Sequence, residues 1–226
     1  FAFKFEILKS LLKLYFQSLA FERNPEKHQK KMWNKFPNDY IFILHADIYI
    51  HHINWYEKLQ EYIEVYPNAG MIGCLLLYPA KDKNGNSYIQ HAGGKFDDNN
   101  NPDHYGSGIS MESGQLFKEP EADVGQYDSV RKVAWTTFGG LYIKREVLQA
   151  VGDFAPEYEW TYNRDVDYCL QTRKLGYDIY NVPIKMLHHE SKDNKRIKTK
   201  EKAAMEMRNL KTLKEKWEKT EWYKTL

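Results

Sequence analysis

Cysteine is nearly absent, with only Cys74 and Cys169 in 226 residues. Each stands in an apolar run, where a thiol behaves as a small core residue, so a disulfide framework is not expected and a reducing compartment is. No segment holds the 18 or so uninterrupted apolar residues of a membrane-spanning helix. The first residues also lack the basic, apolar and small-residue order of a signal peptide. An excess of one charge is missing too: 33 basic residues face 31 acidic ones. That balance gives no global drive towards nucleic acid. The chain begins at Phe1 instead of Met, which reads as a fragment or processed product. Together these absences point to a cytoplasmic protein, with peripheral contact at the inner face of a membrane as the alternative.

What is present is enough apolar content, 42%, for one substantial core and a single domain. Residues 1–20 set Phe5, Leu8, Leu12, Tyr15 and Leu19 on one broad helical face. Such a helix packs on a sheet or lies on a membrane surface; the first is expected, because interfacial helices carry a more cationic polar face. A polar connection with Pro25 and Pro37 follows. Tyr40 to Leu44 is a continuous apolar run, the pattern of a strand buried on both faces. It leads directly into His45-Ala46-Asp47, and in open α/β sheets ligands gather at the carboxyl ends of strands. Asn54 is placed to cap a helix over residues 55–66, after which Asn68-Ala69-Gly70 turns the chain into a second apolar strand.

From Pro79 to Val130 the chain is polar and rich in Gly, Asn and Asp, which predicts a long loop with a short hairpin around Tyr88 to Phe96. Strand character returns from Val133 to Ile143 around Gly139-Gly140, where glycines permit close backbone approach or mark a bulge. A short helix is expected over Arg145–Val151. Asp165 and Asp167 then open an amphipathic helix that ends at Gly176, after the basic pair Arg173-Lys174. Two short strands follow, Tyr177 to Val182 and Ile184 to Met186, the second delivering His188 and His189. Acids at a helix start followed soon by a histidine pair can build a site, although acids are also favourable charges in any helix's first turn. His45, His51 and His52 read as surface or supporting residues, because adjacent histidines alternate direction on an extended chain. In residues 192–226 basic side chains outnumber acidic ones about two to one. Met207, Leu210, Leu213 and Trp217 recur there at helical spacing.

The ordered series HAD, QHAGGKF, GGLYIKREVLQAVGDFAPEY, RDVDYCLQTRKLGYDIYNVP and LHHES resembles the family-two glycosyltransferases of the GT-A fold, particularly those of bacterial O-antigen and surface polysaccharides. The resemblance implies an α/β fold with a GT-A-like mixed, mainly parallel sheet flanked by helices. It divides the chain into an N-terminal helix and connection (1–38), the core (39–191) and a basic helical extension (192–226). No nucleotide-binding strand and Asn-rich turn precede Tyr40, so either the N-terminal helix substitutes for them or that segment is absent.

Residue by residue, the resemblance makes Asp47 the last acid of a metal-binding Asp-x-Asp motif and Asp165 the catalytic base. His188 becomes a further metal ligand, ahead of His189. Asp167, Trp160, Gly139 and Gly140 are acceptor-side support, and His45 and Arg164 are weaker candidates. The implied activity is inverting transfer from a nucleotide-sugar donor to a glycan or lipid-linked saccharide, with Mn²⁺ or Mg²⁺ on the diphosphate and no role for nucleic acid. A hard cation with oxygen ligands suits that chemistry, and Mn²⁺ tolerates imidazole. The chain departs from the family pattern at His45, where a carboxylate is missing, at Arg164, where an acid often stands, and at Phe138 and Asp193. The alternatives are a non-catalytic glycan-binding or assembly module on the same fold and a metal-dependent phosphohydrolase.

Overall fold

The apolar run after Asn68 forms the longest of the described strands, Ala69–Lys81, buried from its first residue to Leu77. In the computed structural model, which describes residues 41–107, 119–159, 162–189 and 199–220, this strand is β3. Before it come β1 (Ile41–Leu44), β2 (Ile48–Ile50) and helix α1 (Trp55–Val65). After it come β4 (Ser87–His91), β5 (Gly94–Phe96), β6 (Pro102–His104), β7 (Arg131–Lys132) and β8 (Gly140–Ile143). The chain then forms α2 (Arg145–Val151), α3 (Arg164–Lys174), β9 (Asp178–His188) and α4 (Thr199–Trp217). The helix expected over residues 1–20 lies outside the described residues.

The main sheet runs β1-β8-β3-β9-β2, with β4 beside β3 and β7 beside β9. It is a mixed sheet flanked by helices, but the mainly parallel arrangement expected of it needs correction. Among the described pairings only β3 with β9 is parallel, and the others are antiparallel. Parallel neighbours need a long crossover, usually helical. Between β3 and β8 the described chain builds hairpins instead, so β8 returns antiparallel to β3.

Strand alternation sorts the side chains of β3 between two cores. Met71 joins Ile143, Val147, Val166, Leu170 and Ile179 beneath α2, α3 and α4. Ile72, Cys74 and Leu76 join Val182, Ile184 and Met186 on the opposite face, covered by Leu59 and its neighbours on α1. Both cysteines are free and buried, as packing residues. β1 departs from expectation, since all four of its residues keep partial exposure. Its only partner among the described strands is β8, so one flank lacks the second neighbour that would bury it.

The polar stretch from Pro79 is more ordered than its composition implies. Asp82 accepts hydrogen bonds from the backbone N–H of Asn84 and Asn86 at 2.8 Å each, closing the β3–β4 hairpin. Asp97 does the same for Asn99 and Asn101 in the β5–β6 hairpin. These Asx turns supply locally the acceptors that a tight reversal needs. They replace the single hairpin expected over Tyr88 to Phe96. The strand expected over Val133 to Ile143 is likewise divided, with a turn at Phe138-Gly139 before β8. The two strands expected after Gly176 are one, β9, interrupted by a register shift between Val182 and Lys185. Pro183, which has no N–H to give a ladder, occupies the break, and Asn181 Nδ2 donates to Cys74 O across it at 3.1 Å.

At α3 the C-terminal helix is tied to the core by one carboxylate. Asp167, 0% exposed, accepts from Tyr158 Oη, Gln171 Nε2, Lys216 Nζ and Trp217 Nε1 at 3.1, 2.7, 3.1 and 2.7 Å. Leu210, Leu213 and Trp217 of α4 are buried as the spacing predicts, but Met207 is exposed and Met205 packs inward in its place. Removing one partner of a buried charge pair leaves the other uncompensated, so Asp167→Ala is expected to lower unfolding free energy by about 3–5 kcal/mol. Lys211→Ala, in an exposed pair with Glu215, should change it little. Urea unfolding of both variants checks the contrast.

Candidate metal centre and active site

β1 and β2 stand at opposite ends of the sheet order, so the link His45-Ala46-Asp47 crosses the sheet. The pairing of Ile48 with His188 brings that link to the carboxyl end of β9. His189 N donates to Asp47 O at 3.0 Å and fixes the loop from the other side. His45, Asp47 and His188 consequently offer ligand atoms within 4.8 Å of one another. One ion with bonds of about 2.0–2.2 Å is reached from there by small side-chain rotations. Asp47 Oδ2 is buried without a hydrogen-bond partner, the condition of an oxygen whose natural partner is a cation. The three residues therefore fit a divalent metal.

The electrostatics favour the ligand forms. When His188 is protonated, its Nε2–H hydrogen bond to Asp47 and its charge, with a smaller share from His45, hold the Asp47 carboxyl below its ordinary pKa, against the opposing effect of burial. Protein packed around the His45 ring, then the charge of His188, lower the His45 pKa, while Asp47 raises it. The residue nevertheless keeps an exposed surface, where water screens part of these effects. His45, a weaker candidate in the sequence, thus stands within reach of Asp47 and His188 while keeping an exposed surface. His51 and His52 do not join it, and His189 is exposed, outside the cluster.

Gln90 completes the centre and was missed. Its Oε1 lies 2.6 Å from His188 Nδ1, while His188 Nε2 lies 3.1 Å from Asp47 Oδ1. The signal was present in QHAGGKF, where only the glycines drew weight. His91, next along β4, accepts from Thr137 N at Nε2, 3.3 Å away. That bond leaves the proton on Nδ1, which donates to His104 Nδ1 at 2.8 Å. Burial lowers the pKa of both rings, so they stay neutral.

Asp165 opens α3, which runs against β3 with Thr172 on Met71 near the strand's start and Cys169 on Thr136 beside Gly73 further along, so the helix start lies towards the carboxyl ends of β3 and β9. Burial raises its pKa from 3.8 to about 7, opposed by the 2.9 Å hydrogen bond from Val166 N. The residue keeps some exposed surface while its carboxyl is enclosed. The adjacent Arg164 is not among the groups that shift that pKa. Its guanidinium donates instead to Tyr158 O at 3.3 and 2.9 Å.

The acceptor-side residues divide. Asp167 is corrected: with no exposed surface and four donors around it, it cannot meet an acceptor. Gly139 and Gly140 do permit a close approach, but of the protein's own core. A Cβ on Gly139 would stand 2.6 Å from Leu76 Cδ1, and one on Gly140 2.9 Å from Met186 Sδ. Trp135 is fully buried, with its indole N–H on Lys95 O, and is a core residue. Trp160 lies outside the described residues.

No protein-family model matches the chain. The uncharacterized protein y4gI of Sinorhizobium fredii is 29% identical over 155 residues, which cover 67% of this chain and 15% of that protein. The chain therefore spans a small part of that relative's length. Among solved structures, the crystal structure of GalNAc-T7 with UDP, GalNAc and Mn²⁺ aligns with 72% of this chain and 30% of its own at a TM-score of 0.49 and 16% identity. No described helix is long and apolar enough to cross a membrane.

The raised pKa of Asp165 has a consequence for stability. Below pH 3.8 the acid is neutral in both folded and unfolded chains and costs nothing; as pH rises through about 7 the unfolded chain gains by ionising first, so stability is lost over that window. The full displacement corresponds to about 4 kcal/mol as a ceiling, and partial exposure brings the expected effect to on the order of 2 kcal/mol. Asp165→Asn should therefore stabilise the protein at pH 8 and leave it unchanged near pH 4, as read by chemical unfolding at the two values.

Proposed function

We propose that the chain carries the catalytic part of an inverting, divalent-metal-dependent glycosyltransferase, moving a sugar from a nucleotide-sugar donor to a hydroxyl of a glycan or lipid-linked saccharide. The observation that carries the reading is the gathering of His45, Asp47 and His188 at the sheet end towards which Asp165 also lies. The order of the sequence motifs, placed on strand ends and a helix start, supports the family-two, surface-polysaccharide form of this reading. Residues 39–191 would be its core.

Mn²⁺ or Mg²⁺ held by Asp47, His188 and His45 would supply charge stabilisation for the departing nucleoside diphosphate. The chain's own ligands bring one negative charge and two neutral rings, which leaves the loaded site net positive towards a diphosphate. Two imidazoles beside one carboxylate favour Mn²⁺ over Mg²⁺. On the acceptor side Asp165 takes the proton from the attacking hydroxyl onto a carboxylate oxygen. A pKa near 7 makes the carboxylate a stronger base than an ordinary aspartate while leaving it substantially ionised at neutral pH. The hydroxyl oxygen bonds to the anomeric carbon as the bond to the diphosphate breaks, so a single displacement inverts the centre and needs no covalent nucleophile.

Asp165→Asn should lower kcat by about 100-fold or more while leaving nucleotide binding in Mn²⁺ unchanged. Wild-type kcat/KM should rise with pH up to about 7 and level above it, because the base acts when ionised. Titration with UDP, GDP and dTDP in Mn²⁺, followed by transfer assays with the matching sugar nucleotides, tests the whole reading. Unimpaired transfer by the variant removes the base assignment. A chain that ignores all three nucleotides is a binding module instead.

A further inference from the structure

We propose that Gln90 is a positioning residue of the metal centre, holding His188 in the tautomer that turns a bare Nε2 towards Asp47 and His45. The inference rests on the metal-dependent reading above. A glutamine Oε1 only accepts hydrogen bonds, so the 2.6 Å contact requires the proton on His188 Nδ1. In the neutral ring Nε2 then carries a lone pair, and it faces Asp47 Oδ1 at 3.1 Å. Two lone-pair atoms at that separation repel unless a positive charge lies between them. The neighbouring His45 ring, with its centroid 5.4 Å from that of His188, adds a further donor instead of a positive charge. The unpartnered Asp47 Oδ2 adds another. The arrangement therefore suits a cation. A metal-bound histidine characteristically donates its other N–H to an oxygen acceptor, which orients the ring and raises its basicity.

The placement of Gln90 is rigid. Ile89 and His91 pair with the adjacent residues Leu77 and Leu76 of β3, so Gln90 is the extra residue of a β-bulge, held between neighbours that are 0% and 1% exposed. Gln90 itself is 9% exposed. Without the Oε1 acceptor, the better state of His188 places its proton on Nε2, where the Asp47 carboxylate accepts it. An arriving ion must then displace that proton and rotate or re-protonate the ring. Gln90 thus keeps a proton out of the ligand position.

Long-range ¹H–¹⁵N spectra of the metal-free full chain at pH 8, with labelled histidine, read the tautomer directly. Mn²⁺ affinity by electron paramagnetic resonance reads the consequence. Wild type should show His188 protonated on Nδ1. Gln90→Met, which keeps the volume and removes the acceptor, should move the proton to Nε2 and weaken Mn²⁺ binding about 10- to 100-fold. Gln90→Glu, which keeps an acceptor, should retain the Nδ1–H form and bind Mn²⁺ within a few-fold of wild type or tighter. A wild-type ring protonated on Nε2, or on both nitrogens, would overturn the proposal. So would Gln90→Met with unchanged tautomer and affinity, or equal weakening in the Met and Glu variants. If Gln90→Met does not fold, the wild-type spectrum and Gln90→Glu still decide. A chain that gives the expected tautomer and metal response yet transfers no sugar would remove the transferase reading and leave the role of Gln90 standing.

Discussion

The parallel pairing of β3 with β9 is the constraint on which the rest of the molecule depends. It puts Met71 beside Ile179 under one helical layer, and Cys74 and Leu76 beside Val182 and Met186 under the other. Each layer is thereby sealed by the same two strands. The pairing also fixes how far β9 travels before it ends, and so where His188 emerges. β2 is aligned on that end by its pairing with β9, which is how Asp47 reaches His188 from 141 positions away in sequence.

What could be read from sequence was what local chemistry decides. The helix at Arg145–Val151 and the helix opened by Asp165 follow apolar spacing and capping signals, and the left-handed φ of +86° at Gly176 is the C-terminal signal expected of glycine. What could not be read depends on which strand neighbours which. The run from Tyr40 looks like a central strand, yet β1 has a single described neighbour, and composition does not encode that. The Asp-Asn turns at Asp82 and Asp97 look like disorder in composition and like hairpins in hydrogen bonding. His45 was set aside by an alternation rule valid for an extended chain. It stands instead at the strand-to-loop junction, where that rule ends.

The separate fates of Asp165 and Asp167 follow from helix geometry. Residues two apart on a helix project to nearly opposite sides, so one acid turns towards α4 and the other does not. Asp167 meets two indole or ammonium donors, a phenol and an amide, and becomes structural. Asp165 meets only the N–H of Val166, and the adjacent guanidinium is spent on Tyr158 O. One motif thus yields a cross-link and an acid of raised pKa, and the difference comes largely from Lys216 and Trp217, 49 and 50 residues downstream of Asp167.

The interruption of β9 at Pro183 is a matter of parity. Cys74 pairs with Val182, but Leu75 pairs with Lys185, so β9 carries two surplus residues at the break. An even surplus leaves every later side chain on its original face, which is why Val182, Ile184 and Met186 share one core. Deleting one residue there would send His188 to the far side of the sheet. Deleting both would remove Ile184 from its core but restore an unbroken ladder with the same partners, so His188, kept in step by the pairing of Leu187 with Leu77, would stay beside Asp47. The segment can therefore change its length by two residues without moving the ligand site, a freedom that a change of one residue does not have.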